Sequence, residues 1–456
     1  MSPPAPEDLA RRLNSHVRRP HARVQHVAAI PFGPHLRISR WRLGNGLDVL
    51  ILPDPAVPVV SYHTWFRVGS RHERPGKTGL AHLFEHLMFK ETHNRGPGAL
   101  DRAVEAAGGD TNAATWTDWT SYFDNLPATS LELAVSLESD RMVNLVLQEP
   151  QVASEKEVVA NERRFRVEDD VEGAVSEQLY RLAFKKHPYR WPTIGSMRDI
   201  RGFTVDDCLA FYRTYYAPNN ATIVVVGRVD EADLLGLLQE HYGPMRPSKL
   251  PREKRIVEPA QRSERSLRLE KPTDTEKLAL GFHGPPFGSP DYFALVMVAD
   301  MLTGGRSSRL YVRLVSEGEM ATEVHTSITP FRDPGLCDVW VNAREGFRAR
   351  DILRIVEQEL ARLGTEPVEE TELEKVRSRL ELGFLSSLET AGGKADQIGF
   401  HATVLDDPGA VFRHMEATRA VTPQRVRDVA RRYFARSGRT TISVAPHGTG
   451  AKRRKR

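Results

Sequence analysis

"FTVDDCLAFYRTYYAPNNATIVVV", residues 203–226, decides the reading of the chain because it returns. Residues 421–444 read "VTPQRVRDVARRYFARSGRTTISV". Each copy opens with a threonine ahead of a helical pattern and closes that pattern on an aromatic pair, Tyr215–Tyr216 or Tyr433–Phe434. Each then turns and enters a β-branched run. A threonine hydroxyl before a helix can accept a first-turn amide, and Val- and Ile-rich runs bounded by turn residues favour buried strands. The pattern predicts an internal duplication.

A second echo extends it. "LFEHLMF" at 83–89 lines up with "MVADMLT" at 297–303, so the places of His82, Glu85 and His86 are taken by Val296, Ala299 and Asp300. Between the halves, "RPSKLPREKRIVEPAQRSERS" (246–266) carries three prolines, many charges and little apolar periodicity, as an exposed linker does. Each half mixes alternating strands ("LDVLILP", "VVSYHTWFRVG", "DVWVNA") with longer helical segments ("SLELAVSLESDRMVNLVL", "ARDILRIVEQELARLG"). That order predicts an α+β fold of two tandem homologous domains, each a mostly antiparallel sheet covered by helices. The expected division is a disordered or extended segment (1–34), a first domain (35–245), the linker (246–266), a second domain (267–446) and a basic tail (447–456).

Bulk properties exclude several classes. Over 456 residues, 40% are hydrophobic and 27% charged, an ordinary soluble globular balance. The net charge of +4 is small and gathers in the terminal "KRRKR" and the linker, without interleaved aromatics, so no nucleic-acid partner is expected. Two cysteines, Cys208 and Cys337, make neither a disulfide framework nor a metal site by themselves. No apolar run nears the roughly 20 residues of a membrane span, and the N-terminus lacks a secretory apolar core. Residues 10–31 are rich in Arg and His without acids, but serine is too sparse for a typical mitochondrial transit peptide. Cytoplasmic placement is the expectation, ahead of a mitochondrial matrix or periplasm.

The chemistry concentrates in "GLAHLFEHLMFK" (79–90). On a helix His82 and His86 project from one face, one turn apart, and Glu85 flanks it. Two imidazoles so placed can hold Zn²⁺, which in catalytic sites takes three protein ligands and leaves a position for water. A neighbouring carboxylate that is not a ligand can act as general base. The structural reading, core histidines, fits less well, since the duplicated helix manages without them. Spacing alone does not choose the third ligand. "VASEKEVVANERRFRVED" (152–169) offers Glu155 and Glu162, two turns apart on one helix face, either as a solvated stripe or as ligand and supporting partner.

With four segments in order, "GLAHLFEHLMFK", "GGDTNAATWTDWTSY" (108–122), "EKEVVANE" (155–162) and "HPYRWPTIGS" (187–196), the chain resembles the pitrilysin/insulinase family of zinc peptidases with the inverted His-x-x-Glu-His motif. Its short members of the mitochondrial processing peptidase type are the nearest match, from about residue 35 to 446. The resemblance implies His82, His86 and Glu162 as zinc ligands, Glu85 as general base and Glu155 as a supporting residue. It implies that "NAAT", with Asn112 and Ala113, forms an edge strand to which a peptide substrate adds as a further strand. One departure stands out. Many family members carry, in their second half, an Arg and a Tyr, seven apart, that hold the substrate; here those positions in "GGRSSRLYVRLVSEGEMATEV" are Val315 and Thr322. The resemblance therefore implies a zinc endopeptidase of peptides or unfolded segments in an enclosed chamber. A homologous non-zinc partner subunit (a heterodimer, with a homodimer as the other option) would supply the missing pair. The competing expectation is a scaffold subunit that keeps its metal site but performs no hydrolysis.

Overall fold

The computed structural model describes residues 5–447; most of the expected basic tail lies outside them. Among the described residues, twelve strands form two sheets. The first contains β1 (Val24–Phe32), β2 (Leu36–Leu43), β3 (Asp48–Pro53), β4 (Val59–Phe66), β5 (Asp110–Thr115), β6 (Thr120–Pro127) and β7 (Ala221–Gly227), in the order β1-β2-β3-β7-β4-β6-β5. The second contains β8 (Arg265–Lys271), β9 (Lys277–His283), β10 (Ala321–Ile328), β11 (Leu336–Ala343) and β12 (Arg439–Pro446), in the order β10-β11-β9-β12-β8. In the first sheet only the β3–β7 pair is parallel, and in the second only β8–β12. Both sheets are mostly antiparallel, as expected.

The second sheet repeats the order of β3, β7, β4, β6 and β5 in the first. Strand β7 lies between a parallel and an antiparallel neighbour, β3 and β4, and β12 lies between β8 and β9 in the same sense. The repeated sequence stretch explains this. Thr204 accepts the Asp207 amide at 3.2 Å to open helix Val205–Tyr215, and Thr422 accepts the Arg425 amide at 3.2 Å to open helix Pro423–Tyr433. Each helix leads through a short 3₁₀ turn into β7 or β12. All seven residues of β7 are buried, which a strand of alanine, threonine, isoleucine and valine closed by Gly227 tolerates on both faces.

Contacts divide the described chain into two compact units that do not follow sequence order. One comprises the residues up to Ala160, Thr193–Lys254 and Leu385–Arg413; the other comprises Asn161–Pro192, Arg255–Phe384 and the residues from His414 on. The tandem division expected from sequence differs because each half lends helices to the other half's sheet. In the first unit, helix Ala391–Leu405 packs on β4 and β7, so tightly that a Cβ at Gly399 would sit 2.0 Å from Trp65 Nε1. In the second, helix Val171–Ala183 packs on β9 and β12 through Val175, Leu179 and Ala183. Strand β4 shows both faces in use. Ser61, His63 and Trp65 alternate with Tyr62 and Thr64, and the latter two bond Tyr242 and Glu138 on the opposite side.

The segment expected to be disordered or extended holds helix Pro6–Asn14 and β1, which pairs with β2 along its length. The Asn14 side chain fixes the join, donating to Val24 O at 2.8 Å and accepting from Val24 N at 2.9 Å. No helix among the described residues is long and apolar enough to cross a membrane. Cys208 and Cys337 are buried free thiols.

Candidate metal centre

Helix Leu80–Leu87 carries the histidine motif. Its apolar side, Ala81, Leu83, Phe84 and Leu87, is fully buried, while His82, Glu85 and His86 are half-buried on the other side. Apolar burial thus orients the helix, and the three polar groups face outward together. Phe84 does much of this anchoring, packing on Phe211, Tyr212 and Tyr216 with ring centroids 4.6–5.5 Å apart.

The helix N-terminus is fixed by groups distant in sequence. Its first amides have no side-chain cap from Gly79. Instead the Glu73 carboxylate reaches in, accepting Gly79 N and Ala81 N at 2.8 Å each. Asp199 accepts both the Thr78 amide at 3.0 Å and its hydroxyl at 2.5 Å, and Ser196 N donates to Thr78 Oγ1 at 3.1 Å. Backbone meets backbone here. Gly79 (φ +94°) and Gly195 (φ +78°) approach so closely that a Cβ on either would collide with the other's loop. "HPYRWPTIGS" therefore seats the histidine helix through Gly195 and Ser196.

Near enough to feel the Glu85 charge are Tyr122 and Tyr216, whose hydroxyls share a 2.9 Å hydrogen bond. Burial raises the pKa of both phenols, and the nearby Glu85 charge adds to the rise, so they remain neutral donors. The Arg141 guanidinium, itself fully buried, stands 4.5 Å from the centre of the Tyr122 ring. Tyr122 pairs across the sheet with Ala113, tying this layer to the edge strand β5.

The third group comes from helix Glu149–Arg163, which continues unbroken past Ala160. One ligand atom each from His82, His86 and Glu162 lies within 4.8 Å of the others, and among the described residues this is the single group of three or more His, Cys, Asp or Glu side chains so placed. A tetrahedral zinc shell with bonds of 2.0–2.2 Å needs separations of about 3.5 Å. The two-nitrogen, one-oxygen donor set suits zinc. Glu162 also pairs with Arg166, one turn on, at 3.1 Å.

Glu155 is 3% exposed and stands behind His86, with Oε2 3.6 Å from Nδ1; its Oε1 is 2.6 Å from Lys90 Nζ. Burial works against its charge, but the His86 and Lys90 contacts outweigh that and hold the carboxyl below the ordinary glutamate range. Asn112 and Ala113 lie on β5, the outer strand of the first sheet, which packs beside the histidine helix. The Asn112 side chain accepts Ala113 N at 2.8 Å. In the second unit, Val315 packs against the core, Thr322 lies on β10, and Arg313 is engaged by Glu359 at 2.7 Å and Gln358 at 3.0 Å.

A model of the insulinase family, peptidase family M16, matches residues 48–196, and one described as the peptidase M16 inactive domain matches residues 202–380. The chain belongs to the M16 peptidase family. Within the family it is 30% identical over 408 residues to the zinc protease PqqE of Helicobacter pylori, covering 89% of this chain and 92% of that one. It is 26% identical over 441 residues to the mitochondrial-processing peptidase subunit beta of Lentinula edodes, 93% of each. The crystal structure of a protease from Helicobacter pylori superimposes with a TM-score of 0.87 at 29% identity, covering 90% of this chain and all of that one. The insulinase match spans the histidine helix and Glu162; the inactive-domain match spans Val296, Ala299 and Asp300.

Sequence reasoning did not find Glu73, Asp199, the Tyr122–Tyr216 pair or Lys90. Their partners lie up to 121 residues away, as Thr78 and Asp199 do. The one local signal was the Gly-Ser ending "HPYRWPTIGS", since a glycine at a close backbone approach is hard to replace.

Proposed function

We propose that this M16 protein is a zinc-dependent endopeptidase acting on peptides or unfolded segments. The observation that carries the reading is the convergence of His82, His86 and Glu162 with Glu85 on the same helix face. His82, His86 and Glu162 would hold zinc, which would supply Lewis acidity toward a scissile carbonyl and lower the pKa of water. Glu85 accepts the proton of the attacking water and returns it to the departing amine. Asn112 and Ala113 receive substrate main chain along the open edge of β5. An added strand displaces the Asn112 amide oxygen from Ala113 N, so strand binding and Asn112 rearrangement go together.

Val315 and Thr322 supply neither a cation nor a phenol, and Arg313 is already engaged by Glu359 and Gln358. We therefore assign the missing Arg–Tyr pair to a homologous non-zinc partner, which completes an enclosed chamber. A scaffold subunit retaining its metal site is the second reading, favoured by those same two positions. Zinc content and cleavage of an unfolded peptide, measured for this chain alone and with the partner, separate them. Stoichiometric zinc, weak cleavage alone and strong cleavage with partner support the peptidase. Zinc without cleavage in either state supports the scaffold.

A further inference from the structure

We propose that Lys90 is a positioning residue of this metal centre: its ammonium fixes one Glu155 oxygen so that the other faces His86, and zinc affinity depends on it. The inference rests on the metal-site reading above. Lys90 lies just beyond the histidine helix, where Phe89 N and Lys90 N still donate to His86 O and Leu87 O at 3.2 and 3.0 Å. The lysine nitrogen meets the same carboxylate that faces His86. Although 40% of the lysine side chain is exposed, its nitrogen approaches a carboxylate that is almost wholly buried, at 2.6 Å. A short contact between an ammonium and a carboxylate is among the stronger hydrogen bonds in proteins.

The geometry gives this contact a purpose. A carboxylate with both oxygens free can rotate about its last torsion, but with Oε1 held by Lys90 only Oε2 can serve His86, which it approaches at 3.6 Å. A metal-binding imidazole needs its second nitrogen engaged, or the ring loses its orientation; disrupting such a partner commonly costs about 10–100-fold in metal affinity. Lys90 could act in the opposite sense, as a positive charge that repels the metal and weakens the carboxylate as an acceptor. The two effects predict opposite signs, so the direction of the affinity change decides between them. Positioning predicts that removing Lys90 loosens zinc; charge repulsion predicts that removal tightens it.

The test compares the full-length wild type with Lys90→Met, Lys90→Arg, Glu155→Gln and the double variant Lys90→Met/Glu155→Gln. Zinc dissociation constants are measured by chelator competition, and circular dichroism of each metal-free protein checks folding. Lys90→Met is expected to weaken zinc about tenfold or more, and Lys90→Arg to restore it to within a few-fold. In the Glu155→Gln background, Lys90→Met should add nothing, because its effect passes through that carboxylate. Unchanged or tighter zinc in Lys90→Met overturns the proposal, as does an undiminished effect in the double variant. Stoichiometric wild-type zinc with no Lys90 effect defeats this inference alone; a wild type without bound zinc defeats it together with the metal-site reading. Methionine keeps most of the aliphatic stem at a part-exposed position, so a change in the metal-free spectrum, with arginine failing to restore zinc, would mark Lys90 as structural and also overturn the proposal.

Discussion

Gly195→Ala should damage the metal centre from a distance. At φ +78° a Cβ on residue 195 would lie 2.1 Å from Thr78 O, 2.3 Å from Thr78 C and 2.5 Å from Gly79 Cα. Ordinary carbon contacts begin near 3.5 Å, and every obstructing atom is backbone, so no rotamer change relieves the clash. One loop must move by roughly 1 Å. Left-handed backbone costs about 1–2 kcal/mol for alanine. Displacement also strains the Thr78–Asp199 and Ser196–Thr78 hydrogen bonds, each worth about 1 kcal/mol. The expected loss for the first unit is about 3–5 kcal/mol. A shift of about 1 Å at the helix start, one turn before His82, should cost around 10²-fold in turnover and weaken zinc in parallel. Urea unfolding, chelator competition and peptide hydrolysis on one preparation measure all three. Gly236→Ala is the control, because that glycine lies within helix Glu231–His241 with open space around its Cβ position; it should stabilise by about 0.5–1 kcal/mol. A Gly195→Ala protein with wild-type stability and zinc affinity would refute the claim that this contact seats the histidine helix.

Acid should weaken the first unit through His63 and His401. Burial depresses their pKa to about 3 and about 4, from 6.5. The folded state thus binds fewer protons, so stability is complete above pH 6.5 and falls as pH drops toward 4. Between pH 6.5 and 5 the pair should lose about 3 kcal/mol, since at pH 6.5 each is already half protonated in the unfolded chain and the full 1.36 kcal/mol per unit per group applies only below that; urea titrations at the two pH values that agree within 1 kcal/mol would contradict this. Glu162→Gln should weaken zinc itself, since an amide oxygen is a poor zinc ligand without charge; stoichiometric zinc under mild chelation would point to another acid. The isolated chain should cleave peptides slowly and gain about 10²-fold with a partner bearing the Arg–Tyr pair; full activity alone, unchanged by the partner, would assign the clamp to this chain.

What was legible in the sequence was local or repeated. Thr204 and Thr422 announced their helices because capping acts within one turn. The β-branched runs at 221–227 and 439–446 announced strands with substantial burial because β-branched residues between turn signals leave a local apolar signature. His82, Glu85 and His86 stood out because they interrupt an apolar helix whose duplicate carries Val296, Ala299 and Asp300 instead. The exchange of helices Val171–Ala183 and Ala391–Leu405 was not legible, since an amphipathic face does not state which sheet it covers. The same holds for Glu73 and Asp199: a carboxylate that caps a distant loop looks, in sequence, like any surface acid. Val24–Phe32 was missed as a strand because its exposed positions carry Gln25, Val27 and Ala29, a weak alternation at the sheet's outer edge.

The central claim is that Glu85 moves the proton at a centre held by His82, His86 and Glu162. It is tested most directly by Glu85→Gln, with zinc content and peptide hydrolysis measured on the same sample in the presence of the partner. The account predicts zinc at the wild-type level, because Glu85 is not among the three clustered ligands, and a turnover loss of about 10²–10⁴-fold or more. Zinc retained with near-normal turnover would contradict it.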